Sequence, residues 1–344
     1  MKLAVINFTL KGGIINKNIN DGLKAKEHDV TSFTISKFSK KLGFFEIGSS
    51  LKEWAEKMFK EMDGIIFIGA CGIAVRAIAP FVKDKKSDPA VIVIDEKGKF
   101  VISLLSGHIG GANNLTKEIA DIVDGQEVIT TATDVNGRFA VDTFATQRGI
   151  HISNVRMVKK ISSRILENKE VGLYTRYKIK NSLPEGLVLK SQGDVGICIS
   201  IKEDKPFVET LNLIPKTLIL GIGCRRNTEQ KKIESLVMKI LEQNNIPIEA
   251  VKSVASIDLK KNEEGILSFC NKYNLPFNVY SSEQLERIEG EFTKSDFVKS
   301  ITGVSNVCER SAVIESNNGQ LIIRKTAEDG VTVAAALEDW SVEF

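Results

Sequence analysis

The run Ala90-Val91-Ile92-Val93-Ile94 has no polar break, and a second run, Phe100 to Leu105, follows it after five polar or glycine residues. The second run ends abruptly in Ser106-Gly107-His108-Ile109-Gly110-Gly111-Ala112-Asn113-Asn114, after which Ala112, Leu115, Ile119 and Ile122 recur at helical spacing. Few arrangements accommodate that order. A continuous apolar run of strand length bounded by turn residues fits a strand covered on both faces, and the period that follows fits a helix packed on its sheet. The Glu96-Lys97-Gly98-Lys99 linker predicts a hairpin between the two strands. A strand breaking into a helix also leaves backbone N–H groups at the helix start, suited to an anion or an oxyanion. Ser106 and His108 bring a hydroxyl and a titratable base to that place.

The rest of the first third alternates in the same way. Strands are expected at 3–7, 29–33, 64–69, 90–95, 100–105 and 127–131, and helices near 50–62, 72–79 and 111–123. These patterns give an α/β domain with a largely parallel sheet over residues 1–137. From 138 to 215 the pattern weakens to short strands (171–175, 187–189, 196–201) among Gly, Pro, Ser and charged residues, a small β-containing middle segment. A second α/β domain is expected over 216–344. Its strands lie at 251–257, 277–280 and 321–325, and its helices at 263–273 and 331–337. A further helix carries Ile233, Leu236, Val237, Ile240 and Leu241, with Asn227 as its N-cap.

Bulk properties exclude several classes. The chain has 344 residues, long enough for roughly two to three domains. A net charge of +3 with 26% charged residues is too balanced to indicate nucleic acid or an acidic membrane surface. No stretch reads as a secretory leader or a membrane span. The five cysteines are scattered, with no C-x-x-C pair, so no disulfide framework or zinc knuckle is expected and the reducing cytoplasm is the expected compartment. No protein-bound metal is expected.

Several clusters carry candidate chemistry. His108 in the glycine turn either caps local backbone or acts as a base on water, since a neutral imidazole deprotonates water near neutral pH. Ser106 is read as a hydrogen-bonding group, because the sequence offers no clear third member of a triad. Gly69-Ala70-Cys71-Gly72, with Arg76, is a second strand-to-helix junction of the kind at which open α/β sheets bind ligands. Thr130-Thr131-Ala132-Thr133-Asp134 follows another strand and reads equally as a ligand contact or a helix cap. Gly221-Ile222-Gly223-Cys224-Arg225-Arg226 fails as a dinucleotide fingerprint because Arg226 occupies the third glycine position. Its two arginines suit carboxylates or a domain interface. Lys260 and Glu263 read by themselves as an exposed surface pair.

Taken together these residues resemble one family, the cobalamin-biosynthesis protein CbiG, over essentially the whole chain. In the first domain the likeness rests on Gly72-Ile73-Ala74-Val75-Arg76-Ala77-Ile78-Ala79-Pro80, on Lys86 with Asp88-Pro89-Ala90-Val91, on Leu104 through Asn113, and on Thr130 through Asp134. In the second it rests on Gly221 through Arg226, Lys260 with Glu263 and Gly265, Gly303-Val304 with Glu309, and Gly330 through Ala334. Glu264 departs from the pattern, which has proline there, and the middle segment carries little of the likeness.

The resemblance implies hydrolysis of cobalt-precorrin-5A, a cobalt tetrapyrrole whose ring-A δ-lactone opens while the methylated meso carbon leaves as acetaldehyde. It implies no cofactor of the protein's own, because cobalt arrives in the substrate. The implied partners are that tetrapyrrole and neighbouring enzymes of the pathway, with no nucleic acid and no membrane. On this footing His108 is the expected base, Ser106 assists, Asp134 or Asp88 orients the base, and the amides of Gly110 and Gly111 hold the oxyanion. The expected substrate contacts are Gly69, Ala70, Gly72, Arg76, Lys86, Gly107, Gly110, Gly111, Asn113, Thr131 and Thr133 in the first domain. In the second they are Gly223, Cys224, Arg225, Arg226, Lys260, Glu263 and Glu309, and a broad cleft between the two α/β domains is expected to take the ligand. Two other classes stay open: a non-catalytic carrier of the tetrapyrrole, and a serine-type esterase acting on another lactone.

Overall fold

The computed structural model describes residues 1–48, 50–84, 87–108, 110–131 and 137–344, apart from the side chain of residue 297. The chain divides into two compact units, Met1–Thr146 and Gln147–Phe344. The expected α/β class is borne out in both.

The first unit is built on a seven-stranded sheet of β1 (Lys2–Asn7), β2 (Asp29–Thr34), β3 (Phe45–Glu46), β4 (Gly64–Ile68), β5 (Ala90–Ile94), β6 (Phe100–Leu105) and β7 (Gln126–Val128). The order across it is β3-β2-β1-β4-β5-β6-β7. Strands β1 to β5 are parallel, whereas β6 pairs antiparallel with β5 through the predicted hairpin, Val91 opposite Leu105 and Ile94 opposite Val101. Strand β7 is parallel to β6, so the last two strands run against the other five.

Helices cover both faces. Ala90, Ile92 and Ile94 pack with α1 (Leu10–Ala25) and α5 (Ala112–Val123), whereas Val91 and Val93 pack with α3 (Leu51–Glu61) and α4 (Cys71–Ile78). This two-sided burial is why β5 shows no polar alternation. Helix α1 was not legible because it carries three glycines and three asparagines. It forms around the Thr9 cap, which accepts the Gly12 amide, and around Ile19 and Leu23 buried on the sheet. Tertiary packing outweighs its weak propensity. Two short helices, α2 (Ser36–Leu42) and α6 (Val141–Gln147), complete the unit.

In the second unit, α7 (Val155–Leu166) accompanies a five-stranded sheet of β8 (His151–Ile152), β9 (Val171–Thr175), β11 (Leu187–Leu189), β12 (Gly193–Ile199) and β13 (Phe207–Ile214). Its order is β11-β9-β12-β13-β8, while the two-residue β10 (Lys178–Ile179) pairs with β19 (Ser341–Val342). The other large sheet, ordered β16-β15-β14-β18-β17, contains β14 (Leu218–Cys224), β15 (Val251–Ile257), β16 (Phe277–Tyr280), β17 (Gln320–Glu328) and β18 (Val331–Leu337). Helices α8 (Gln230–Gln243) and α9 (Glu264–Tyr273) bury one face of it, and α12 (Cys308–Glu315) packs on the other. Between them lie α10 (Ser282–Glu286) and α11 (Asp296–Thr302).

Two expectations are corrected here. Residues 331–337 are not a helix but the strand β18, paired on both sides, with Leu218 opposite Leu337 and Cys224 opposite Val331. Its alanines hide a period of two, in which Val331, Val333 and Ala335 join the α8 side and Ala336 faces α12. Asn227 does not cap α8, which begins at Gln230 after Glu229; Asn227 adopts φ 58° in the preceding turn.

The close approach of α12 depends on small residues. A Cβ at Gly221 would lie 1.8 Å from the Cys308 carbonyl oxygen, and Gly221 stands directly opposite Ala334. Because the obstacle is helix backbone, no side-chain rotation relieves it. Gly221→Ala is expected to destabilise the chain by about 1–3 kcal/mol, the range for overpacking, read as a lowered urea midpoint. An unchanged midpoint would show that α12 shifts freely.

Candidate active site

The reversal of β6 decides where the glycine turn sits. Leu105 lies beside Val91 at the start of β5, so the turn leaves from the edge where the parallel strands begin. Thr131, beyond the end of β7, reaches the same edge, where Asn113 links the pieces. Its Oδ1 accepts from Ser103 Oγ at 2.7 Å and its Nδ2 donates to Thr131 Oγ1 at 3.1 Å. Gly69, Ala70, Gly72 and Arg76 follow the end of β4, at the opposite edge. Five residues of strand, about 16 Å, separate the two groups. The exposed Arg76 folds back along its own helix, Nη1 donating to the Gly72 carbonyl at 3.2 Å. The structure therefore does not gather these residues around His108.

Within the turn, Ala112 N donates to the Ser106 carbonyl at 3.1 Å, Asn113 N to Gly107 at 2.9 Å, and Gly111 N to His108 at 3.0 Å. The Gly111 amide expected to hold an oxyanion is thus engaged inside the turn. Gly110 is required for space, since a Cβ there would lie 2.4 Å from Ser106 Cβ. Ser106 adopts φ 60°, and its Oγ is buried without a hydrogen-bond partner among the described residues.

His108 Nδ1 lies 3.1 Å from Asp142 Oδ2, with side-chain exposures of 14% and 6%. Asp142 Oδ1 accepts its neighbour's amide, from Thr143, at 3.1 Å. Burial is the largest single influence on Asp142 and raises its pKa. The hydrogen bond and charge of His108, with the backbone amides, together outweigh it and hold the carboxyl below its ordinary value. An ionised Asp142 accepts from Nδ1–H, which makes Nε2 the proton-accepting nitrogen.

Sequence reasoning missed Asp142. It reads as an ordinary acidic residue in the first turn of a helix, and only packing reveals that it is buried. The carboxylates named instead are Asp134 and Asp88. Asp134, like Lys86 and Thr133, lies outside the described residues. Asp88 is buried, and its Oδ2 accepts the amides of Lys83 at 2.9 Å and Asp84 at 3.1 Å, closing its own loop.

In the second unit, Gly223, Cys224, Arg225 and Arg226 occupy the end of β14, next to Lys260 and Glu263 beyond β15. Lys260 Nζ lies 2.7 Å from Glu263 Oε2, at side-chain exposures of 13% and 8%, so the pair is largely buried and not the surface pair expected. Glu263 Oε1 also accepts from Thr228 N at 3.2 Å, fixing the arginine turn. Burial pushes the Cys224 thiol pKa up, against the pull of the Lys260 charge. Arg225 and Arg226 are exposed.

Glu309, expected at the ligand, is fully buried and internally bonded. It accepts from Thr293 N (2.7 Å), Thr293 Oγ1 (2.9 Å), Asn306 Nδ2 (2.9 Å) and Lys325 N (2.8 Å). Its place is structural, joining α12 to β17 and to the loop at Thr293.

The fold and site define a two-unit α/β protein with a buried histidine–carboxylate pair in a strand-to-helix turn. Family models match three consecutive stretches: cobalamin synthesis G N-terminal over 53–134, cobalamin biosynthesis central region over 139–215, and cobalamin synthesis G C-terminus over 218–336. The cobalt-precorrin-5A hydrolase of Salmonella typhimurium is 38% identical, over 88% of this chain and 90% of that one. The cobalt-precorrin-5A hydrolase of Priestia megaterium is 33% identical, over 97% and 94%. A solved cobalamin biosynthesis protein G homolog from Sulfolobus solfataricus aligns at 24% identity over 98% and 97%, with a TM-score of 0.43. The chain belongs to the CbiG family.

The lowered pKa of Asp142 makes a stability prediction. A carboxyl that titrates lower when folded favours folding in its ionised form, fully above the ordinary carboxylate range, and this contribution is lost as pH falls through the folded-state value. Asp142→Asn is expected to be less stable than the native chain at neutral pH, with the gap closing as pH falls below the ordinary aspartate value of about 3.9. Urea unfolding at several pH values checks this; a gap independent of pH would remove the ion pair as its cause.

Proposed function

We propose that the chain is a cobalt-precorrin-5A hydrolase, opening the ring-A δ-lactone and releasing the meso carbon with its methyl as acetaldehyde to leave cobalt-precorrin-5B. Family membership and the names of the two curated relatives support the reaction. The observation that carries the site is the buried contact between His108 and Asp142 in the glycine turn. Lactone opening needs a base that is neutral near pH 7 and held in one tautomer. Asp142 supplies the hold at Nδ1, and Nε2 takes the proton of the attacking group.

Once the acyl C–O bond breaks, the electron pair rests on the meso-carbon oxygen. Its collapse to a carbonyl expels acetaldehyde, and the electrons of the broken carbon–carbon bond pass into the conjugated macrocycle, which is protonated. Nothing in this sequence calls for a resident cofactor, since cobalt enters as part of the substrate. Arg225 and Arg226 are exposed at the end of β14 and suit the peripheral acetates and propionates of a tetrapyrrole. Among the described residues no helix is long and apolar enough to cross a membrane. The cytoplasm is the proposed compartment, with neighbouring pathway enzymes supplying substrate and taking product.

Acetaldehyde release from cobalt-precorrin-5A tests the assignment. His108→Ala is expected to lower kcat by at least about 10²-fold while substrate still binds. Equal release from both chains would remove His108 from the chemistry, and none from the native chain would overturn the hydrolase. Arg225→Ala and Arg226→Ala are expected to raise KM and leave kcat within about threefold, the pattern of lost uniform binding; a fall in kcat alone would contradict a carboxylate-binding role.

A further inference from the structure

We infer that the lactone opens through an ester on Ser106 Oγ, with His108 as the proton carrier and Asp142 holding the imidazole. The inference rests on the hydrolase reading above and assigns the attacking atom within it.

Two features of Ser106 cost free energy that the fold does not recover. A φ of 60° places a Cβ-bearing residue in the left-handed region, a strain that glycine would not carry. The Oγ is also buried without a partner among the described residues, a loss that alanine would not incur. The hydrogen bonds of the turn run through backbone carbonyls and amides and make no use of this hydroxyl. Ser103 Oγ and Thr131 Oγ1 are both bonded to Asn113, while Thr116 Oγ1 and Thr143 Oγ1 are also buried without a partner among the described residues; of these unpaired hydroxyls only that of Ser106 sits on a residue of positive φ. Strain combined with an orphaned buried hydroxyl at a site with a histidine–carboxylate pair points to a reactive role.

The backbone has the form that presents a nucleophile. Ser106 lies on a sharp strand-to-helix turn, and glycine at 110 lets the chain pass against its Cβ. A serine on a strained turn between strand and helix is how hydrolases of several classes expose an attacking oxygen. The third member absent from the sequence reading is Asp142, so the order along the chain is serine, histidine, aspartate. Among the described residues no hydrogen bond fixes the Ser106 rotor, and the proposed attack requires side-chain rotation that carries Oγ out of its buried position.

The steps balance without a further reactant. Ser106 Oγ adds to the lactone carbonyl as its proton passes to His108 Nε2. The acyl C–O bond breaks, and the electron pair leaves on the meso-carbon oxygen, whose collapse releases acetaldehyde. The proton on His108 passes to the macrocycle, directly or through solvent. Water then adds to the acyl carbon and gives a proton to His108. The Oγ–C bond breaks, the serine recovers that proton, and the ring-A acetate is left as a free acid.

A single turnover with enzyme in excess over cobalt-precorrin-5A, quenched in acid, tests this through acetaldehyde yield and the mass of the Ser106 peptide. The native chain is expected to carry a transient tetrapyrrole ester on that peptide, and Asp142→Asn to retain it longer. Ser106→Gly suits the φ of 60° and removes the hydroxymethyl group, Cβ included; it is expected to bind substrate and release acetaldehyde at least about 10³-fold more slowly. Release by Ser106→Gly within threefold of native overturns the ester and leaves the hydrolase standing. Slow release by Ser106→Gly with no ester captured in either the native or Asp142→Asn chain also overturns it, reducing Ser106 to a hydrogen-bonding group. No acetaldehyde from the native chain fails the hydrolase reading itself, a result distinct from either.

Discussion

The two backbone hydrogen bonds that the Asp95 carboxylate accepts, from Lys97 N at 2.8 Å and Phe100 N at 2.6 Å, reverse the chain between β5 and β6. With Gly98 at φ 73°, they close a tight antiparallel turn where the preceding strands each use a helix to cross over. The site depends on this reversal. It returns β6 to the edge where β5 began, so the glycine turn, the start of α5 and Thr131 collect there. A parallel β6 would have delivered Ser106 and His108 to the other edge, beside Gly69 and Arg76.

The consequence runs against the usual placement of sites in open α/β sheets, whose ligands bind beyond the carboxyl ends of the strands at a change in winding direction. In the first unit that position lies between β1 and β4, where Gly69 and Gly72 stand. The histidine–carboxylate pair sits at the opposite edge because its own strand is reversed: the turn still follows the carboxyl end of β6, and it is β6 that has changed direction. The second unit keeps the usual arrangement, with its exposed arginines beyond the ends of β14 and β15.

How much of this was legible depended on whether the determining contact was local. The β5 and β6 runs, the hairpin and the glycine turn into α5 were readable, because each follows from residues a few positions apart. The burial of Lys260 and Glu263 was not, since both carry the composition of a solvated helix start and are covered by distant chain. Residues 331–337 misled through their alanines, which suit a helix by propensity and suit β18 by size, where α12 needs room. Asp142 was hidden for the same reason. It stands 34 positions from His108, in a short helix whose sequence says nothing about which way the chain carries it.

What separates Asp142 from the other buried carboxylates is the nature of its donors. Glu309 accepts from two backbone amides, a hydroxyl and a side-chain amide, and Asp88 accepts from two backbone amides. None of those donors titrates near neutral pH, so those carboxylates can only fix the chain. Asp142 has one oxygen on an amide, which orients it, and the other on an imidazole, a ring that can gain and lose a proton. A carboxylate held in that way stabilises the protonated ring and fixes the tautomer of the neutral one. It therefore changes the strength of His108 as a base, which no number of amide contacts at Glu309 or Asp88 could do.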